Sequence, residues 1–166
     1  GVSPLNALNR EIIEHVQGEL KKRGHNLPVY FGNRNWHPFA SETAEKMSQD
    51  GVRKVAVFAT SAWGGYSACR QYDEDIQRMR EHLAEQGLPD IEFTKIRQFF
   101  DHPKFVAEMA AAVTEVWGQV PEEKKESTRL LFTAHSVPVV YDNVGGAEGD
   151  KNLYSRQVAE ASRLVA

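Results

Sequence analysis

Apolar residues recur every three or four positions in five stretches of this chain, which is the pattern of amphipathic helices. The first stretch begins at Leu5, after Ser3 and Pro4 as a favourable helix start, and it stops at Gly24. The other four predict helices over residues 41–49, 71–85, 104–117 and 153–165. In the helix over 104–117, the inward-facing apolar side is expected to extend to Val116.

Short apolar runs between these helices predict β-strands. The runs are Val29–Phe31, Val55–Ala59, Ile91–Ile96 and Arg129–Phe132. The continuous apolar run Val55–Ala59 is typical of a strand that is buried on both faces of a parallel sheet. Strands and helices alternate with short connections, so the predicted fold class is α/β, with βαβ units and a mostly parallel sheet. Gly87 and Pro89 mark a break, which predicts a domain boundary between residues 1–88 and residues 89–166.

Composition narrows the class of protein. Hydrophobic residues make up 41% and charged residues 26% of the 166 positions, which indicates a globular chain rather than a disordered one. A net charge of −3 gives no general attraction to nucleic acid or to an anionic membrane. No apolar run approaches the roughly 20 residues that a membrane-spanning helix needs, and residues 1–20 lack a secretory signal pattern. The single cysteine, Cys69, excludes an internal disulfide framework, so a cytoplasmic location is expected.

Several common functional motifs are missing from the sequence. There is no GxGxxG after a strand, no Walker loop and no Gly-x-Ser-x-Gly, which argues against dinucleotide, phosphate and hydrolase sites. Gly64-Gly65 and Gly145-Gly146 are isolated pairs, which are more typical of flexible turns than of anion sites. No spacing of histidine and cysteine suggests a structural zinc ion.

The segment 130–138 carries the strongest chemical signal. Its apolar run Leu130–Phe132 predicts a buried strand that ends before Ser136 and Pro138 and delivers His135 to its carboxyl end. In open α/β sheets, ligands bind beyond that end of the strands. Histidine is the side chain best suited to exchange protons or to bind a divalent metal near neutral pH. A histidine that only hydrogen-bonds a loop is the alternative, and position alone does not choose between the two.

Four segments of the chain, taken in order, resemble motifs of the ferrochelatases, the enzymes that insert ferrous iron into a porphyrin. The segments are GVSPLNAL at residues 1–8, YFGNRNWHP at 30–38, ATSAWGGYSACRQY at 59–72 and LLFTAHSVP at 130–138. The segment at 59–72 is closest to the actinobacterial members, which make coproheme from coproporphyrin III. Four ordered matches that together span nearly the whole chain are a specific signal.

The resemblance implies a chelatase-like α/β fold with two Rossmann-like βαβα halves, parallel sheets and a ligand cleft between them. It also implies insertion of ferrous iron, as a substrate, into coproporphyrin III to give Fe-coproporphyrin III (coproheme) in heme biosynthesis. Coproporphyrin III is therefore the expected small-molecule partner, and other heme-biosynthesis enzymes are candidate protein partners. Family members are longer at both ends, so we expect this chain to be the middle of a longer enzyme.

The resemblance assigns His135 to catalysis, as the group that accepts pyrrole protons or holds ferrous iron. A neutral imidazole suits either role, and the sequence leaves the choice open. The family pairs this histidine with a glutamate farther along the sequence, beyond Ala166. Arg34 follows the predicted strand Val29–Phe31, and its guanidinium suits the four propionates of coproporphyrin. The alternative for Arg34 is a salt bridge to a neighbouring acidic side chain.

Other residues match family positions in the same way. Tyr72 matches the porphyrin-binding tyrosine of the family, and an aromatic ring at that position can pack on the macrocycle. Tyr66 is expected to support the loop. Ser3 matches a porphyrin-contacting serine, although a simple helix cap explains it equally well. Cys69 matches a ligand of the [2Fe–2S] cluster found in actinobacterial and animal members, whose other three ligands would lie outside this chain. His37 is expected to be a structural histidine.

Two other functions stay open on the sequence. A chelatase for another metal, such as cobalt, and a related tetrapyrrole would share the fold and the histidine, although the loop 63–72 favours iron. A non-catalytic α/β module that carries tetrapyrrole or iron without inserting the metal would also fit.

Overall fold

The computed structural model describes residues 3–66, 70–146 and 149–166. Within these ranges the chain forms seven helices and two strands. In chain order they are α1 (Leu5–Lys22), α2 (Ala40–Gln49), β1 (Lys54–Val57), α3 (Gln71–Glu85), β2 (Glu92–Lys95), α4 (Pro103–Gly118), α5 (Glu122–Lys125), α6 (Val139–Asn143) and α7 (Leu153–Val165). No helix among the described residues has both the length and the apolarity that crossing a bilayer requires.

The five amphipathic helices predicted from the sequence are confirmed as α1, α2, α3, α4 and α7. One predicted start is displaced, because α1 begins at Leu5 with Pro4 as its N-cap residue, whereas Ser3 lies one position earlier. The inward orientation predicted for Val116 is wrong, since this side chain is 62% exposed. The partly covered side of α4 ends at Val113. Helical spacing therefore predicted correctly which side of α4 is covered, but it extended that side one turn too far.

The two strands confirm the parallel α/β architecture. β1 and β2 pair in parallel, with Val55 opposite Phe93, and α3 lies between them in the sequence. This is a βαβ unit, the arrangement that parallel strands need because they cannot be joined by a tight turn. Burial on both faces of β1 is a wrong prediction: its side chains alternate between exposed and partly buried, and Phe58 just after it is 49% exposed. Among the described residues the sheet has two strands, and the exposed alternate side chains of β1 show that one of its faces is uncovered.

Two predicted strands do not form in this structure. Val29–Phe31 and Arg129–Phe132 belong to no strand, and the nearest pairing to the first is an isolated bridge between Asn33 and Phe39. A strand exists only where a neighbouring strand takes up its backbone hydrogen bonds. Neither apolar run has such a neighbour among the described residues, so apolar composition alone was insufficient to predict a strand.

The contacts divide the chain into two compact units. The first unit holds residues up to Thr60 together with Glu74–Lys95, and the second holds Ser61–Asp73 together with Ile96–Ala166. The boundary predicted between residues 88 and 89 separates part of a first Rossmann-like domain from part of a second one, and it stays a prediction.

The first unit has the main apolar core. Its fully or nearly fully buried members come from α2, from α3 and from the residue before β2: Ala44, Met47, Met79, Leu83 and Ile91. Leu83 is completely inaccessible to solvent, and burial of such a side chain stabilises a fold by about 1.5–3 kcal/mol. This core fixes α3 against the sheet.

In the second unit, α7 is the helix on which two other helices pack. It packs on α4 and on α6, and its residues Ala161 and Val165 are buried. A separate aromatic cluster joins Trp63, Phe99 and Phe105, with Phe105 edge-on to both other rings at centroid distances of 6.2 and 5.2 Å. The first turns of α7 also bond to the segment that carries His135 and to Gly64.

Candidate functional site

His135 lies on an irregular segment of the second unit. Residues 129–138 form neither helix nor strand, so the strand that was expected to deliver this histidine is absent. The His135 side chain is exposed, and its backbone carbonyl accepts a hydrogen bond of 3.0 Å from the Tyr154 hydroxyl. The imidazole therefore stands at the surface of its unit, where it can exchange protons or meet a metal ion.

A buried carboxylate fixes the helix that carries Tyr154. Asp142, which is 7% exposed, accepts hydrogen bonds from the backbone N–H groups of Tyr154 (3.0 Å) and Ser155 (3.3 Å) and from the Ser155 hydroxyl. Asn152, the residue before α7, makes no side-chain cap bond. Asp142 therefore satisfies the unpaired donors of the first turn and brings negative charge to the helix N-terminus, and both effects stabilise a helix.

The same helix also holds the glycine-rich central loop. The backbone N–H of Gly64 donates a hydrogen bond to Oε1 of Gln157 on α7. The Tyr66 ring stacks on Tyr141 of α6, with centroids 4.6 Å apart and planes 12° from parallel. The first turns of α7 therefore contact the central loop as well as the histidine segment, which are two of the four recognised motifs.

Gly145 is required by a close approach rather than by flexibility. A Cβ atom at this position would lie 2.7 Å from Cα of Gly65 and 2.9 Å from the backbone nitrogen of Tyr66. Gly65 itself has a φ of +136°, a conformation that side chains disfavour. Interpreting Gly145-Gly146 as a simple flexible turn was therefore incomplete, because sequence spacing does not reveal which backbone segments touch.

Arg34 forms the salt bridge that was the alternative to a substrate contact. In the first unit its Nε donates to Oδ2 of Asp75 on α3 at 2.7 Å, and the Asp75 side chain is only 12% exposed. Arg78, one turn along α3, donates to the other oxygen of the same carboxylate, and this hydrogen bond raises the pKa of Arg78. The pairing orients the Arg34 guanidinium, and it leaves the predicted substrate role untested.

The remaining predicted residues are placed as follows. Ser3 is exposed, and its Oγ accepts from the Leu5 N–H at 3.4 Å, in keeping with a helix-start role. Tyr72 is partly buried in the first turn of α3. Cys69 lies outside the described residues. The His37 ring lies edge-on to Phe39 at 4.4 Å, and its backbone carbonyl accepts from the Asn33 side chain at 3.2 Å, which fits a structural histidine.

No complete metal site is formed by the residues that the structure describes. Among them, no three histidine, cysteine, aspartate or glutamate side chains converge on one point. The described chain therefore shows one predicted iron-handling side chain, His135, without a full ligand set.

Sequence reasoning missed the residues that hold the site. Asp75, Asp142, Tyr154 and Gln157 all act across at least 12 positions of sequence. Asp142 lies in α6, too far before Leu153 for the local signals of a helix start to apply. The partners of all four residues could not be read from spacing.

Known proteins match this chain along its whole length. The family model named Ferrochelatase matches residues 1–166. The coproporphyrin III ferrochelatase of Corynebacterium glutamicum is 58% identical over 166 residues, which are 100% of this chain and 45% of that protein. The corresponding proteins of Corynebacterium diphtheriae and Mycolicibacterium smegmatis are 57% and 52% identical, again over 100% of this chain and over 46% and 47% of their own length. The chain thus spans about half the length of the curated relatives it matches, and the family resemblance of the four motifs is confirmed.

Proposed function

We propose that this chain, which belongs to the ferrochelatase family, is part of an enzyme that inserts ferrous iron into coproporphyrin III. The product would be Fe-coproporphyrin III, an intermediate of heme biosynthesis. The observation that carries this proposal is identity of 52–58% over the whole chain to three proteins named coproporphyrin III ferrochelatase. We propose a cytoplasmic location for the complete protein, on the compositional grounds given above.

Porphyrin metalation sets three chemical requirements. Two pyrrole protons must leave, the iron must shed its water, and the flat macrocycle must bend so that the nitrogen lone pairs reach the metal. The exposed imidazole of His135 suits the first two steps, because a neutral ring nitrogen accepts a proton or holds ferrous iron transiently. His135 is therefore the proposed catalytic residue and the proposed contact for the iron substrate.

Recognition of the porphyrin is assigned to Arg34, Tyr72 and Ser3. The Arg34 guanidinium is held by Asp75, and a guanidinium suits the carboxylate of a propionate in charge and in hydrogen-bonding geometry. The Tyr72 ring provides an aromatic surface for the macrocycle, and the Ser3 hydroxyl provides a further hydrogen-bonding group. In the complete protein these residues would line a cleft between two Rossmann-like halves.

An iron–sulfur cluster is not accommodated by this chain alone. The sequence has one cysteine, Cys69, whereas a [2Fe–2S] cluster takes four ligands. We propose Cys69 as one ligand of a cluster whose other ligands lie outside these 166 residues. The visible absorption of the complete protein should then bleach in Cys69→Ser, since oxygen is a poorer match than thiolate for such a cluster.

Porphyrin preference tests the proposed function. The complete protein should insert ferrous iron into coproporphyrin III, which has four propionates, faster at limiting substrate than into protoporphyrin IX, which has two. The measurement is kcat/KM for each porphyrin under anaerobic conditions, followed by absorbance. Insertion into neither porphyrin would overturn the proposal, and equal kcat/KM values would retain a ferrochelatase but remove the reason for choosing coproporphyrin III.

A further inference from the structure

The hydroxyl of Tyr154 is the hydrogen-bonding partner that the described structure gives to His135. The bond runs from the hydroxyl to the His135 backbone carbonyl and measures 3.0 Å. The surrounding segment, residues 129–138, has no strand neighbour that would fix its backbone in the usual way. The Tyr154 hydroxyl therefore anchors the backbone at His135, while the backbone N–H groups of Tyr141 and Asp142 bond to the carbonyl of Pro138 at the end of the segment.

Tyr154 is itself held from two sides. Its backbone N–H donates to the buried carboxylate of Asp142 at 3.0 Å, so the start of α7 is fixed relative to α6. Its ring lies against the central loop, where a Cβ atom on Gly65 would come within 3.4 Å of Cβ of Tyr154. Because both the backbone and the ring are located by neighbours, the hydroxyl reaches the histidine segment from a defined position.

We propose that Tyr154 is a positioning residue for His135. By fixing the peptide that follows the histidine, the Tyr154 hydroxyl holds the imidazole where it meets the incoming iron and the pyrrole protons. The inference rests on the proposed function, because it assumes that His135 acts on these groups. A misplacement of about 1 Å at a reacting group can cost about 10²-fold in rate, so the hydrogen bond that fixes the carbonyl of His135 is enough to matter.

The test is Tyr154→Phe in the complete protein, which removes the hydroxyl and keeps the ring. We expect kcat for iron insertion to fall about tenfold and KM for ferrous iron to rise, because a loosened histidine meets the metal less often in the productive geometry. The Kd for coproporphyrin III, measured by fluorescence quenching, should stay within about twofold, because the macrocycle is bound by other residues. A variant that only lost folded protein would show the same loss for ferrous iron and for coproporphyrin III.

Tyr30→Phe is the matched control. Its hydroxyl donates to Oδ2 of Asp50 at 2.9 Å in the first unit, and no catalytic or binding role is assigned to Tyr30. It removes the same atom, so it should shift Tm by a similar few degrees while leaving both kinetic constants and the porphyrin Kd unchanged.

The results distinguish failure of the positioning role of Tyr154 from failure of the proposed function. If His135→Ala abolishes insertion while Tyr154→Phe behaves like Tyr30→Phe, the positioning role is overturned and the proposed function stands. If porphyrin binding in Tyr154→Phe falls in parallel with the iron kinetics, Tyr154 is a general structural residue and the positioning role is likewise overturned. If the wild-type protein inserts no iron, both the proposed function and this inference fail.

Discussion

In the β1–α3–β2 region, ladder hydrogen bonds between parallel strands and a closed apolar cluster around Leu83 hold the chain in place. The histidine region, which comprises residues 129–146 and 149–157, begins with a segment, residues 129–138, that forms neither helix nor strand. There, side chains bond to backbone groups: Tyr154 to the carbonyl of His135, and Asp142 and Gln157 to backbone N–H groups. The scaffold therefore depends on burial, whereas the site depends on a few directed contacts.

The largest expected effect lies in the histidine region and concerns chemistry rather than stability. His135→Ala in the complete protein should lower the rate of iron insertion by about 10²–10⁴-fold, the usual contribution of a positioned proton-transfer group. Porphyrin binding should persist, because the imidazole is assigned to the metal and the protons. The measurement is the initial rate together with the porphyrin Kd, and His25→Ala on the exposed connection after α1 is the control. A rate within a few fold of wild type would remove His135 from the mechanism.

The scaffold should show the opposite behaviour. Leu83→Ala removes a fully buried side chain, and such changes cost about 2–5 kcal/mol because a cavity remains. We expect a marked drop in Tm, with kcat per folded molecule nearly unchanged. Leu27→Ala, at a side chain that is 61% exposed, should change stability by no more than about 0.5 kcal/mol. A large change in kcat with an unaltered Tm would erase the contrast between the two regions.

A glycine tests whether the histidine region depends on a close backbone approach. Gly145→Ala places a methyl group 2.7 Å from Cα of Gly65, and forced contacts of this kind cost about 1–3 kcal/mol. The expected result is a lower Tm combined with a reduced insertion rate, since the displaced segment adjoins the central loop. Gly118→Ala is the matched control, because nothing lies within 4 Å of the added atom. Identical behaviour of the two variants, by melting and by activity, would show that the approach carries no constraint.

Arg34 is the residue of the first unit that we expect to contribute to the choice of porphyrin. Arg34→Ala should reduce the preference for coproporphyrin III over protoporphyrin IX, since a charged hydrogen bond contributes about 1.5–3 kcal/mol, and less where solvent screens it. Fluorescence titration of both porphyrins measures the preference, with Arg10→Ala on the exposed side of α1 as control. Equal weakening of both porphyrins would assign Arg34 to structure, through its bridge to Asp75.

The smallest effect concerns a surface network of the scaffold. Hydrogen bonds from Lys46 and then from Tyr30 lower the pKa of Asp50 below its usual value. A carboxyl whose pKa is lower in the folded state stabilises the fold at pH values above the ordinary aspartate pKa of about 3.9, and this contribution is lost as the pH falls through the folded value. The Tm difference between wild type and Asp50→Asn should therefore shrink from pH 7 toward pH 3. A difference that does not change with pH would contradict this linkage, and kinetic constants at neutral pH should not respond.

The sequence predicted the helices, which depend on burial, better than the directed contacts of the histidine region. Helical spacing located α3 and α7 at their observed ends, because burial of an apolar stripe repeats every three to four residues. The run before His135 was wrong as a strand, because strand formation depends on a neighbour that composition does not reveal. The roles of His135, Arg34 and Tyr72 came from family motifs and stay predictions. The Tyr154 contact, which spans 19 positions, leaves no mark in local spacing.

Catalytic turnover separates an enzyme that inserts iron from a module that only carries porphyrin or iron. The complete protein is mixed anaerobically with a large excess of coproporphyrin III and ferrous iron, and metalloporphyrin is quantified by absorbance against time. We expect many equivalents of Fe-coproporphyrin III per protein molecule, at a rate well above the protein-free reaction. Tight porphyrin binding without metalation beyond the protein-free rate would contradict this expectation.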